Sequence, residues 1–168
     1  MATANAATSF LENRLLNFLF KGNAAIGGVT FGTPGDGIYV GLATAVSNFN
    51  DSTGESAAGP TITEADFNGY ARKQVTASNW TLTSQDDDTQ TIKNAQDIDF
   101  NAHSGGGGAG ANADVITHVF IATHLTNSLD TLGANGNVLF IGKLDVDKTI
   151  QTNDIFRINQ NNLTIELK

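Results

Sequence analysis

The chain has no cysteine, two prolines, one methionine and one tryptophan in 168 residues. Without cysteine there are no disulfides and no thiolate metal sites. Charged residues make up 15%, against about 25% in an average globular domain. Much of the polar surface must therefore come from Asn, Thr, Ser, Gln and Gly. Basic residues number nine against seventeen acidic ones, a formal charge of −8. The densest basic spot is Arg72-Lys73, too little to release counterions from a nucleic acid. The same charge disfavours an anionic membrane surface. No run approaches the ~20 apolar residues that span a bilayer, and Met1 to Asn5 lacks the basic start and apolar run of a signal peptide. A soluble product made in the cytoplasm is the expectation.

Hydrophobic residues at 40% allow a real core, and 18 glycines imply many tight bends. The length suits one compact domain. Ser9-Phe10-Leu11-Glu12 reads as a capping box. Leu11, Leu15, Phe18 and Leu19 then recur at helical spacing, and Lys21 and Gly22 make a natural stop. A helix over 9–21 follows, preceded by an arm at 1–8. So short a helix needs a partner surface, on its own domain or on a neighbouring subunit.

Beyond it the signals are those of strands. Ile38 to Leu42, Tyr70 to Thr76, Asn79 to Thr83, Thr89 to Lys93, Ile98 to Phe100, Val115 to Thr123 and Val138 to Leu144 read as extended. Val115 to Thr123 is apolar on both faces and should be central. Residues 46–69 read as a long polar loop. Asp154 to Ile158 and Leu163 to Leu167 flank Asn159 to Asn162 as a hairpin. Eight or so short strands with polar connections predict an all-β, single-domain sandwich of jelly-roll type over 9–168, with the one N-terminal helix. No heptads or longer repeats encode a fibre shaft.

Candidate chemistry is sparse. The run Gly105-Gly106-Gly107-Gly108 has no Gly-Lys-Ser/Thr ending and precedes a strand, so it is not a phosphate loop. His118 and His124 lie six apart on one strand, roughly 20 Å end to end, too far for one metal ion, and His103 is isolated in sequence. Asp86, Asp87, Asp88, Asp97 and Asp99 could offer oxygens to calcium, but solvated turn caps are the plainer reading. No serine sits in a nucleophile elbow. Neither catalytic residues, cofactor nor metal are expected. The candidate interface residues are Phe10, Leu11, Leu15, Phe18 and Leu19 on the helix, with Gly106 and Gly107 in the glycine loop. Gly69 and Gly142 are read as places where another backbone comes close.

In whole-chain order the motifs resemble a family of small phage virion proteins labelled tail-fibre-like. The likeness rests on Phe10 to Asn17, Ile38 to Ala45, Gly69 to Thr76, Val115 to Ile121 and Asn137 to Leu144. It closes with Lys148 to Ile150, Asp154 to Phe156 and Leu163 to Ile165. The resemblance implies a virion component partnered by other virion proteins, either the major capsid protein or tail proteins. Two structural roles fit: a capsid decoration (cement) protein, which is the first expectation, or a tail-fibre, baseplate or tail-tip component. A carbohydrate-active enzyme is a distant third. A homo-oligomer, by symmetry a trimer, is expected; nucleic acid and membrane are not expected as partners.

Overall fold

The computed structural model describes residues 15–16, 18, 20–21, 25–26, 29–30, 38–50, 54–55, 61–84, 90–108, 110, 112–122, 125 and 138–167. The strands in chain order open with β1 (Ala25–Ile26) and β2 (Val29–Thr30), then β3 (Ile38–Ser47), β4 (Phe49–Asn50), β5 (Gly54–Glu55), β6 (Thr61–Glu64) and β7 (Lys73–Val75). After a 3-10 turn at Ala77–Asn79 come β8 (Trp80–Ser84), β9 (Gln90–Asn94), β10 (Ile98–Asp99) and β11 (Asp114–Ala122). The last are β12 (Val138–Ile150), β13 (Arg157–Ile158) and β14 (Thr164–Leu167). Every ladder with a defined register is antiparallel, so the all-β expectation holds. The jelly-roll sandwich goes further than these sheets do. They belong to two compact units: Met1–Gly37, Val75–Ile98 and Ile158–Lys168 form the first, Ile38–Gln74 and Asp99–Arg157 the second.

The first unit holds a three-stranded sheet in the order β14-β9-β8. Its register aligns Leu82, Ile92 and Ile165 in one row, and Ile92 and Ile165 are buried. Asn94, fully buried, ends β9 and holds the following turn. Its Nδ2 donates to Gln96 O at 2.7 Å and Asn159 O at 2.9 Å, and its Oδ1 accepts from Leu163 N at 2.9 Å. Both N–H donors and the carbonyl oxygen of this amide thus have partners, which offsets the cost of its burial. The expected hairpin of 154–158 with 163–167 is therefore corrected: β13 pairs with β10 and β14 with β9.

Leu15, Leu16, Phe18, Phe20 and Lys21 are helical. The arm 1–8, the capping residues Ser9 and Glu12, and Phe10, Leu11 and Leu19 lie outside the described residues. Leu16 and Phe20, four apart, are the buried pair, while Leu15 is exposed and Phe18 half-buried. Phe20 meets Trp80 edge-on at 4.6 Å, and Lys21 Nζ donates to Trp80 O at 2.8 Å. The packed face is thus not the expected Leu15–Phe18 row. Residues 15–20 are apolar at every position but Asn17, so spacing does not choose a face; Trp80 does.

The second unit is built on the order β12-β11-β3-β6, with β7 also on β3. β11 is central as expected, and its Ile116, Val119, Phe120, Ile121 and Ala122 are buried. β12 looks similar in sequence but is an edge strand, mostly half-buried or exposed. The polar stretch 46–69 contains β6, paired to β3 with Val46 opposite Ile62, a strand whose alternation of Thr and Glu with one isoleucine gives little apolar signal. Gly69 is a close approach as expected, at φ +98° with a Cβ position 2.6 Å from Ala102 O. Gly142 is not, having open space around it. The close approach in the sheet is Gly41, directly beneath the Phe120 ring.

Candidate functional site

The polar groups of the second unit converge on Glu64 at the end of β6. Arg72 Nε donates to Glu64 Oε1 at 2.8 Å and its NH2 to Oε2 at 2.7 Å, a bidentate pair with the guanidinium side chain 4% exposed. Tyr70 Oη donates to Glu64 Oε1 at 2.8 Å and accepts from the amide of Leu42 in β3 at 3.0 Å. Arg72 also lies over the Phe120 ring, 5.5 Å from its centroid. The planar fork satisfies both carboxylate oxygens where water is scarce. Burial first, and then the Glu64 charge, push the Tyr70 phenol well above the ordinary tyrosine range.

From Tyr70 a row of rings crosses the unit. Tyr70 stacks on Phe100 at 6.1 Å, and Phe100 meets Phe156 edge-on at 5.9 Å. On its other side Tyr70 meets Phe67 at 5.4 Å, and Phe67 stacks on the His103 ring at 5.6 Å. His103, 1% exposed, is a hub. Its Nδ1 accepts from Gly105 N at 2.9 Å, so the proton sits on Nε2, which donates to Asn112 O at 3.2 Å. Its backbone bonds Asp154 O and Asn153 N.

The same side of the unit clamps the glycine loop. Asn68 Nδ2 donates to Gly105 O at 2.6 Å, its amide donates to Gly110 O at 2.7 Å, and Ser104 N donates to Asn68 O at 2.8 Å. Asp114 Oδ2 accepts from the amides of Asp66 and Phe67 at 2.9 and 3.1 Å. A Cβ on Gly110 would stand 2.7 Å from Asn68 Oδ1, and one on Gly105 2.9 Å from Thr152 Cγ2. The glycines required by close approach are therefore Gly105 and Gly110. Gly106 and Gly107 form an exposed tip, with nothing within 4 Å of a Cβ on Gly107. The loop approaches its own chain at both ends, and its tip stays open to solvent.

The proton-carrying groups Glu64 and His103 are taken up by protein partners. Asp97 accepts from Gln160 N at 2.7 Å, and Asp99 pairs with Arg157; Asp86, Asp87 and Asp88 lie outside the described residues, as does His124. His118, in β11, stands opposite Lys143 and Ala43. Among the described residues no three His, Asp or Glu side chains gather as a metal site. Of the expected interface residues the structure places Leu15 and Phe18 on the helix of the first unit and Gly106 and Gly107 at the loop tip of the second. Sequence reasoning missed Glu64 and Asn68, and it named His103 without placing it in this network. Each is one polar residue in a polar stretch, and the only available hint was the Asn68-Gly69 turn signal.

No curated protein matches the chain. A family model described as Podophage GP4 fiber I protein gp80 matches residues 6–166. That span carries the helical residues within 15–21, the three-stranded and five-stranded sheets up to residue 166, the clamped glycine loop and the Glu64–Arg72 pair. The chain belongs to the podophage fibre protein family of that model.

Proposed function

We propose that this chain is a non-enzymatic structural component of a phage tail fibre, working as a homo-oligomer and attached to other tail proteins. The observation that carries the reading is the fibre-family match over nearly the full chain. It favours the fibre over the capsid decoration role, which compactness, the absence of shaft repeats, a modest acidic charge and long polar loops placed first. The geometry supports the structural part of the reading. Glu64, Arg72, Tyr70 and His103 are spent on holding strands and loops together, and a buried, fully bonded network of this kind fixes one arrangement of the chain. Antiparallel sheets held by such bonds, with an exposed loop tip, suit a part that makes contacts rather than one that turns over a substrate.

Immunogold labelling of intact particles, with copy number from quantitative mass spectrometry, tests the reading. Label on the tail, at a small multiple of the tail symmetry, is expected. Label spread over the head at the copy number of the shell lattice would overturn it in favour of the decoration role.

A further inference from the structure

Asn68 and Gly69 stand side by side in the turn that clamps the glycine loop, and the fold uses both. The Tyr70 amide donates to Phe67 O at 2.9 Å to close the turn, with Gly69 at φ +98°. Only glycine fits there, since a Cβ would stand 2.6 Å from Ala102 O. Asn68 is placed by the loop itself: its Nδ2 donates to Gly105 O at 2.6 Å and reaches Gly107 O at 3.5 Å. An asparagine followed by glycine is also a reactive pair. The glycine nitrogen can attack the side-chain carbonyl carbon of the asparagine within the same chain, and no side chain on the glycine hinders it. Here the Gly69 N–H donates to no acceptor among the described residues. Asn68 is half-buried and Gly69 is exposed, so water reaches the pair.

The clamp opposes the attack. Ser104 N donates to Asn68 O at 2.8 Å and so fixes the plane of the Asn68–Gly69 peptide, while Gly105 O holds Nδ2. Ring closure therefore needs that end of the loop to open locally, as weakly packed exposed segments do. The product cannot remake what was lost. An ionised aspartate offers only acceptors, and one of its oxygens would face the Gly105 and Gly107 carbonyls where a donor stood.

We propose that Asn68 is a site of spontaneous modification, gated by opening of the glycine loop, and that its conversion releases the loop tip irreversibly. The Gly69 nitrogen bonds to Asn68 Cγ and gives up its proton, and the Cγ–Nδ2 bond breaks to release ammonia. Water then opens the resulting succinimide to aspartate or isoaspartate. Water is the only co-reactant. The tip from Gly106 to Gly108 loses its tie to Asn68, while His103 still holds Gly105 N and Asn112 O. The inference holds wherever in a particle the chain sits.

The test keeps the full-length protein at mildly alkaline pH, native and in guanidinium chloride, and follows both by peptide mapping over weeks. The native protein should gain the mass of an NH2-to-OH exchange at Asn68, with isoaspartate among the products, more slowly than the unfolded chain. Asn135-Gly136, the other such pair in the sequence, is read from its own peptide. Gly110→Ala, which crowds Asn68, should speed the native conversion about tenfold by weakening the clamp. Hydrogen exchange across Gly106 to Gly108 should quicken in the converted fraction and in Asn68→Asp, with the amides of β11 unchanged. No conversion of native Asn68 while the unfolded chain converts would overturn the proposal. So would a native rate equal to the unfolded one, a wild-type rate in Gly110→Ala, or unaltered loop exchange in the converted fraction.

Discussion

The ring of Phe120 in β11 lies on Gly41 in β3, so close that a Cβ on the glycine would stand 2.6 Å from Phe120 Cε2. The two are cross-strand partners, and the missing side chain of one is the space occupied by the other. Phe120 itself is fully buried, with the Arg72 guanidinium 5.5 Å from its ring centroid.

Gly41→Ala should therefore destabilise the protein by about 1–3 kcal/mol through overpacking. Phe120→Ala should cost about 3–5 kcal/mol through the cavity it leaves. Combined with Phe120→Leu, Gly41→Ala should cost less than by itself, because the two share one space. Denaturant melts of wild type, Gly41→Ala, Phe120→Leu and the double variant measure the coupling; strict additivity would mean the residues are not in contact.

Removing one partner of the buried pair should be worse than trimming its neighbour. Glu64→Leu leaves the Arg72 guanidinium without its carboxylate and should cost about 3–5 kcal/mol. Tyr70→Phe loses a hydrogen bond to a charged group and should cost about 1.5–3 kcal/mol. The reverse order of the two would show that the phenol, not the ion pair, anchors β6.

The Tyr70 phenol has a value raised in the folded state, first by burial. A raised value means the folded protein holds the proton more tightly. Its contribution to stability is complete below the ordinary tyrosine value and is lost as pH rises through the folded one. In an alkaline titration the Tyr70 phenolate should appear only together with loss of the fold, and Tyr70→Phe should remove that part of the absorbance change. Phenolate from Tyr70 in a still-folded protein would contradict its burial.

Asp99 behaves in the opposite sense. The hydrogen bond from Arg157, Nε to Oδ1 at 2.5 Å, holds its carboxyl below the ordinary aspartate value. Its contribution is present above that ordinary value and is lost as pH falls through the lowered one. Wild type and Asp99→Asn should differ in thermal midpoint near neutrality and converge in acid, with a gap that shrinks in high salt because both side chains are about half exposed. A gap that persists in strong acid would assign the effect to packing.

Within the glycine loop, position decides tolerance. Gly110→Ala collides with Asn68 and Asp66 and should cost about 1–3 kcal/mol. Gly107→Ala meets nothing and should change stability by no more than about 0.5 kcal/mol. Equal effects at the two sites would mean that the clamp by Asn68 does not form in solution.

The strands Ile38 to Leu42 and Val115 to Thr123 were legible because consecutive β-branched and aromatic residues bounded by turn residues have few other stable homes. The all-β class followed from the same local signals, whereas the virion family followed from the resemblance of the motifs in whole-chain order. Which face of residues 15–20 is buried was not legible, since an almost wholly apolar segment has no periodicity to read; contact with Trp80 settled it. β6 was hidden for the opposite reason, because its pairing with β3 and the bond between Glu64 and Arg72 stabilise a segment whose own composition reads as loop. Gly41, Asn68 and His103 share that cause. Their roles depend on residues up to 79 positions away in the chain, the separation of Gly41 from Phe120, and a local pattern holds no record of what folding will bring alongside. The sequence alone determined that the most apolar runs, Ile38 to Leu42 and Val115 to Ala122, would be extended and that the chain is polar and acidic outside its core; only the tertiary structure decided which polar residues are buried, because a buried charge or amide is stable only when its partners arrive from elsewhere in the fold.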